Sequence, residues 1–143
     1  NILTAGAFVV NMVDRGLTEA MNICASDFPS GVSELEAAGL SLAPSRAIGV
    51  PRIKESPVNL ECRLHQTIEL TYRRTLVLGE VLHVHVADGL IDPATRRIIP
   101  EKYDPLARLY GTHYARLGER FSMAIEPHQQ IVQRNLARPK PPR

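Results

Sequence analysis

The sequence predicts a β-rich α+β domain, and three observations carry that prediction. From Val58 to Leu70 apolar residues fall on every second position, Val58, Leu60, Cys62, Leu64, Ile68 and Leu70, with Gln66 the one break. Asn59, Glu61, Arg63, His65, Thr67 and Glu69 lie between them, so the stretch reads as one long strand with a buried face and a wet face. A second β-branched run, Leu76 to Val86, follows Thr71-Tyr72-Arg73-Arg74 and suits an antiparallel partner. Helical signals, by contrast, are few and short.

The remaining elements follow in chain order. Ala7 to Val13 is apolar and β-branched enough for a buried strand. Leu17, Met21 and Cys24 share one face of a helix expected over Thr18 to Ala25, and Phe28-Pro29-Ser30-Gly31 ends it. Ser33 and Glu36 form an S-x-x-E capping box and Gly39 suits the position just past a helix end, which predicts two turns over Val32 to Ala38. Pro44, Pro51 and Pro57 punctuate an extended connector. Asp92-Pro93 turns the chain. Asp104-Pro105 reads as the cap and first residue of a helical turn, with Leu106, Leu109 and Tyr110 on its apolar side.

At 143 residues the chain has the size of one domain, able to bury roughly two thirds of its unfolded surface. We assign residues 1–126 to that domain and 127–143 to an extended or disordered basic, Pro-rich tail carrying Arg138, Lys140 and Arg143 among Pro139, Pro141 and Pro142. Seventeen Lys and Arg against fifteen acids leave a net charge of only +2, which argues against a nucleic-acid partner. No apolar run approaches membrane-spanning length. Cys24 and Cys62 are too few and too far apart for a disulfide framework or a paired metal motif, and read as reduced thiols of a cytoplasmic protein. The chain opens at Asn1 rather than Met and runs straight into apolar sequence, so a piece of the natural protein is expected in front of it.

Three constellations carry chemistry. His83 and His85, two apart on a strand, point the same way and can clamp a transition metal, but a site needs a third ligand, and strand parity puts Glu80 on the opposite face. No metal is therefore assigned. Glu61, Arg63 and His65 share the polar face of the first long strand, either as a charge relay or as a solvated cross-strand ladder, the commoner arrangement. Asp104 to Arg116, DPLARLYGTHYAR, gathers Arg108, Tyr110, His113, Tyr114 and Arg116 around Gly111. Rings stack, guanidinium pairs with phosphate or carboxylate and glycine admits close approach, a set suited to a planar anionic ligand. The alternative is an amphipathic segment docked on the domain with its arginines in water. There is no nucleophile elbow, Walker loop or dinucleotide-binding glycine motif, and no catalytic residue is assigned.

The succession AGAFVVNMV, EAMNICASDFPSGVSELEAAGLSLAPS, VPRIKESPVNLECRL, LVLGEVLHVHV and YDPLARLYGTHYAR resembles the flavin reductase-like family of FMN-binding split β-barrel proteins, from Asn1 to about Phe121. The resemblance implies an antiparallel Greek-key split β-barrel with short helical excursions, a homodimer, and FMN at the subunit interface. It also implies hydride transfer from NADH or NADPH to flavin, with reduced flavin supplied to a partner monooxygenase. A flavin-binding electron-transfer or sensing module is the alternative, and a barrel that has lost its ligand a third reading. Much of the family's flavin contact lies in opening strands and a phosphate turn of which this chain keeps only the last position. The cofactor residues carried over are Asn1 at the edge of that turn, Arg108 and Tyr114, with His113 in addition. Arg108 is the candidate for a charge that stabilises reduced flavin. Such chemistry needs no triad, because the cofactor supplies the reactive atom.

Overall fold

The computed structural model describes residues 2–29 and 31–136, and the backbone alone of Asn135. In chain order it forms α1 (Ile2–Ala5), β1 (Ala7–Asn11), a 3-10 turn, α2 (Thr18–Cys24), α3 (Glu34–Ala37), β2 (Leu42–Ala43), β3 (Arg52–Ile53), β4 (Val58–Leu70), β5 (Arg74–Val86), a second 3-10 turn, β6 (Leu106–Arg108), β7 (Tyr114–Arg116) and α4 (His128–Leu136). The sheets are antiparallel: β1-β4-β5, β2-β3 and β6-β7. Among the described residues they do not close on one another, so a complete barrel is not present.

Elements set by near neighbours in the chain form where the sequence places them. β4 spans the residues that the alternation marks, and α2 ends one residue before Ala25. Ser33 caps α3 by accepting from the Glu36 N–H at 3.4 Å, and Gly39 takes a φ of +66° just beyond it, although the helix is one turn rather than two. The chain before β1 is not plain strand: Ile2–Ala5 makes one helical turn, closed by the Gly6 N–H donating to the Ile2 carbonyl at 2.9 Å.

The burial of β4 departs from the expectation. Asn59 and Glu61, on the supposed wet side, are 1% and 0% exposed. On the apolar side only Cys62 is fully buried, while Val81 and Val84 of the paired strand are 49% and 46% exposed. The reason is tertiary. The connector from Ser41 to Pro57 folds across the polar side and bonds to it, whereas the apolar side is covered only in part, by Phe8 at Gly79 and by Ile91, Ile98 and Tyr103 near Val58 and Leu60.

Two irregularities also break simple parity. Pairing jumps from Glu61↔His83 to Cys62↔Val81, leaving Leu82 as the extra residue, and from Leu64↔Gly79 to Gln66↔Leu78, leaving His65 as the extra one. Each bulge turns the following residues to the other side, so alternation read straight through from Val58 to Leu70 holds only as far as Leu64. Gln66, the apparent exception, sits immediately after such a bulge. Glu80, which pairs with Arg63, falls on the same side as His83, not the opposite one.

Phe8 lies across Gly79 on the apolar side. A methyl group on Gly79 would stand 2.5 Å from Phe8 Cζ and 3.1 Å from Cys62 Cβ. Gly79→Ala therefore forces the ring off its seat and should lower stability by about 1–3 kcal/mol, read as a shifted urea midpoint. An unchanged midpoint would show that Phe8 repacks freely.

Further along, Leu106–Arg108 and Tyr114–Arg116 form a hairpin in place of the expected helical turn. The Leu106 N–H donates to the Val13 carbonyl at 2.9 Å and the Arg15 N–H to the Asp104 carbonyl at 3.1 Å. These bonds hold the segment extended beside the chain that leaves β1, which outweighs the local capping signal. Residues 128–136 are helical rather than extended, with Arg134 bonded to Glu126 at 2.8 Å. The rest of the tail, 137–143, lies outside the described residues. No helix among the described residues is long and apolar enough to cross a membrane.

Candidate functional site

The β6–β7 hairpin brings Arg108, Tyr110, Gly111, His113 and Tyr114 together. Arg108 and Tyr114 are direct cross-strand partners, which places guanidinium over ring, 4.9 Å from its centroid. The Arg108 Nη1 donates to the Tyr114 hydroxyl at 2.6 Å and its Nη2 to the Gly111 carbonyl at 2.6 Å. Gly111 is left-handed, with φ +54°, and this aims its carbonyl back at the arginine. The turn is closed by the Leu109 N–H to the His113 carbonyl at 3.0 Å and the His113 N–H to the Tyr110 carbonyl at 2.9 Å. Tyr110 and His113 stack, centroids 4.7 Å apart and planes at 26°. At the foot of the hairpin Arg116 bonds to Asp104 at 2.8 Å.

Arg108, Tyr110, Gly111 and His113 are exposed, and Tyr114 is half-buried. The arginine is braced on two sides yet keeps further N–H groups and its charge at the surface. A guanidinium so held is pre-oriented for an anion, and the ring pair beside it offers a flat apolar face. Asn1, the fourth cofactor candidate, lies outside the described residues.

The histidine pair of β5 does something different. The rings of His83 and His85 meet edge to face, 4.6 Å apart. His85 Nε2 lies 2.5 Å from Glu61 Oε1, and no group of three or more His, Cys, Asp or Glu among the described residues is arranged to hold a metal. Glu61 also accepts the Arg46 N–H at 2.7 Å and the Ala47 N–H at 2.6 Å. Burial pushes its carboxyl up, but the Arg46 N–H, the His85 ring and the Ala47 N–H outweigh it and hold its pKa at about 2. Glu61 is thus a buried latch on the connector, neither a relay nor a solvated ladder. The ladder reading holds one residue pair along, where Arg63 and Glu80 meet at 2.6 Å in water; His65 is exposed and makes no side-chain bond among the described residues. Cys62 is a buried free thiol whose pKa is raised by that burial.

Neighbouring polar groups extend the latch. Asn11 Oδ1 accepts the Ile53 N–H at 3.0 Å and the Asn59 side-chain amide at 2.8 Å, and the same amide donates to the Ile53 carbonyl at 3.1 Å. Sequence reasoning named Glu61 only as a relay or ladder member and did not single out Asn11 or Asn59, because the connector that covers them comes from a distant part of the chain. The one local signal was Asn11, a polar residue within the otherwise apolar run Ala7 to Val13.

Residues 1–118 match the model of the flavin reductase like domain, and the chain belongs to that family. A crystal structure of 2-nitrobenzoate 2-nitroreductase from Pseudomonas fluorescens is similar at 38% identity and a TM-score of 0.79, over 90% of this chain and 64% of that one. Nitrilotriacetate monooxygenase component B from Bacillus cereus is similar at 35% identity and a TM-score of 0.77, over 86% and 62%. An uncharacterized protein of Aquifex aeolicus is 38% identical over 81% of this chain and 58% of its own length. The chain thus spans about three fifths of these relatives.

Proposed function

We propose that this chain forms part of a flavin-dependent oxidoreductase that passes hydride from NADH or NADPH to FMN. The observation that carries the reading is the braced Arg108 hairpin within a chain whose first 118 residues match the flavin reductase like domain. Bound flavin would supply the hydride-accepting ring that no side chain here provides. Arg108 would hold a fixed positive charge against the ligand's electron-rich or anionic part, and Tyr114 and the Gly111 carbonyl keep that charge from swinging into solvent. Tyr110 and His113 would offer a stacking face, and Asn1 would close the phosphate end. None of these groups needs to exchange a proton, which accords with the absence of an assigned base.

Two further parts of the reading rest on the same frame. The exposed apolar residues of β5, Val81 and Val84 among them, belong to a surface that a homodimer would bury, and a split barrel would be completed there. Similarity to a monooxygenase component supports transfer of reduced flavin to a monooxygenase partner, and similarity to a nitroreductase supports a nitroaromatic acceptor as the second reading. Free Cys24 and Cys62 accord with a reducing, cytoplasmic setting.

The test is the visible spectrum of the protein with FMN, then with NADH and NADPH added without oxygen. Tight FMN binding with bleaching by either nucleotide is the expected result. Binding without bleaching would replace the reductase by an electron-transfer or sensing module. A protein that ignores FMN would overturn the reading for this chain.

A further inference from the structure

Away from the hairpin, Arg52 of β3 and Lys54, in the turn that follows it, border one pocket. With Asn59, His85 and Asp88 they line a predominantly polar pocket of about 260 Å³. Asn59 is buried in its floor, whereas Lys54 and Asp88 are exposed at its rim. No residue of the β6–β7 hairpin takes part.

The charges in this pocket are not matched internally. The ion pairs among the described residues are Arg63–Glu80, His85–Glu61, Arg116–Asp104 and Arg134–Glu126, so neither Arg52 nor Lys54 has a carboxylate within pairing distance there. Arg52 donates Nη1 to Asn59 Oδ1 at 3.2 Å, while its Nε is buried with no partner. A buried charged N–H left unpaired carries a desolvation penalty that an acceptor would relieve. Asn59 is itself pinned by Asn11 and by the Ile53 carbonyl, which fixes the guanidinium plane through the Nη1 bond. The edge left over is the Nε–Nη2 fork, whose two parallel donors match the two oxygens of a carboxylate. Glu61 does not compete for it, since its oxygens are taken by two backbone N–H groups and His85.

We propose that this pocket binds a small carboxylate anion, held by the Arg52 fork and capped by the Lys54 ammonium. Two cations against the single Asp88 carboxylate leave one positive charge for a monoanion. The site is separate from the hairpin and does not depend on flavin.

The experiment is titration of the protein with sodium benzoate, and in a second arm with inorganic phosphate, by calorimetry at constant ionic strength. Saturable benzoate binding is expected, weakened about tenfold or more by Arg52→Gln and by Lys54→Gln. Asp88→Asn should tighten it several-fold. Lys54 is exposed, so its substitution reads the site even if Arg52→Gln disturbs the fold, which a thermal melt would reveal. Absence of saturable binding up to ~10 mM overturns the proposal. So does an affinity that Lys54→Gln and Asp88→Asn leave unchanged, and phosphate binding tighter than benzoate overturns the carboxylate assignment.

Discussion

Glu61→Gln is expected to destabilise the protein by about 2–3 kcal/mol, lowering the melting temperature by about 8 °C. Glutamine has nearly the volume of glutamate, so the effect isolates charge and hydrogen bonding. The wild-type carboxylate accepts three donors, from Arg46, Ala47 and His85, at a position with no solvent exposure. The amide can accept at one oxygen only. Its NH2 group must then face the Arg46 or the Ala47 N–H, which leaves a buried donor opposed by a donor.

The same residue sets a pH dependence. Its carboxyl ionises at about 2 in the fold against 4.5 for the ordinary side chain. Because the folded value is the lower one, Glu61 stabilises the fold fully above pH 4.5 and loses that contribution as pH falls towards about 2. Urea unfolding measured from pH 7 down to pH 2 should show a steeper loss in wild type than in Glu61→Gln across that window. Parallel curves would mean that the carboxylate is not the latch.

The second large effect is expected at Arg108. Arg108→Ala should weaken FMN binding at least tenfold, about 1.4 kcal/mol or more, with only a small change in stability because the hairpin is exposed. The substitution removes the charge and also releases the Tyr114 hydroxyl and the Gly111 carbonyl from their 2.6 Å bonds. Arg108→Lys separates these contributions. Lysine keeps the charge but cannot span hydroxyl and carbonyl with a rigid fork, so it should restore part of the affinity and not all of it. Fluorescence quenching of added FMN measures both variants. Unchanged affinity together with an unchanged reduction rate would remove Arg108 from the site.

How far these features could be read in advance varies with the distance over which they are determined. The hairpin of β4 and β5 was legible because alternation along a strand is a property of adjacent residues. So were α2 and the Ser33 cap, whose hydrogen bonds reach three or four positions. The Arg108 group was legible as composition, through its clustering around Gly111, but the sequence suggested a helical turn. The hairpin there depends on Val13 and Arg15, some 90 residues earlier in the chain.

The sequence by itself thus determined the family, the antiparallel strands and the presence of cation and rings in one segment. Periodicity shows that the two sides of a strand differ, yet it does not say which side another segment will cover. That was decided by contacts such as the Ile53 N–H to Asn11, 42 positions apart, and the Arg46 N–H to Glu61, 15 apart. Those contacts turned Asn59 and Glu61 inward, while Val81 and Val84 on the other side stay about half exposed. Bonds made in the dry interior to a charged group outweigh the preference of a carboxylate for water.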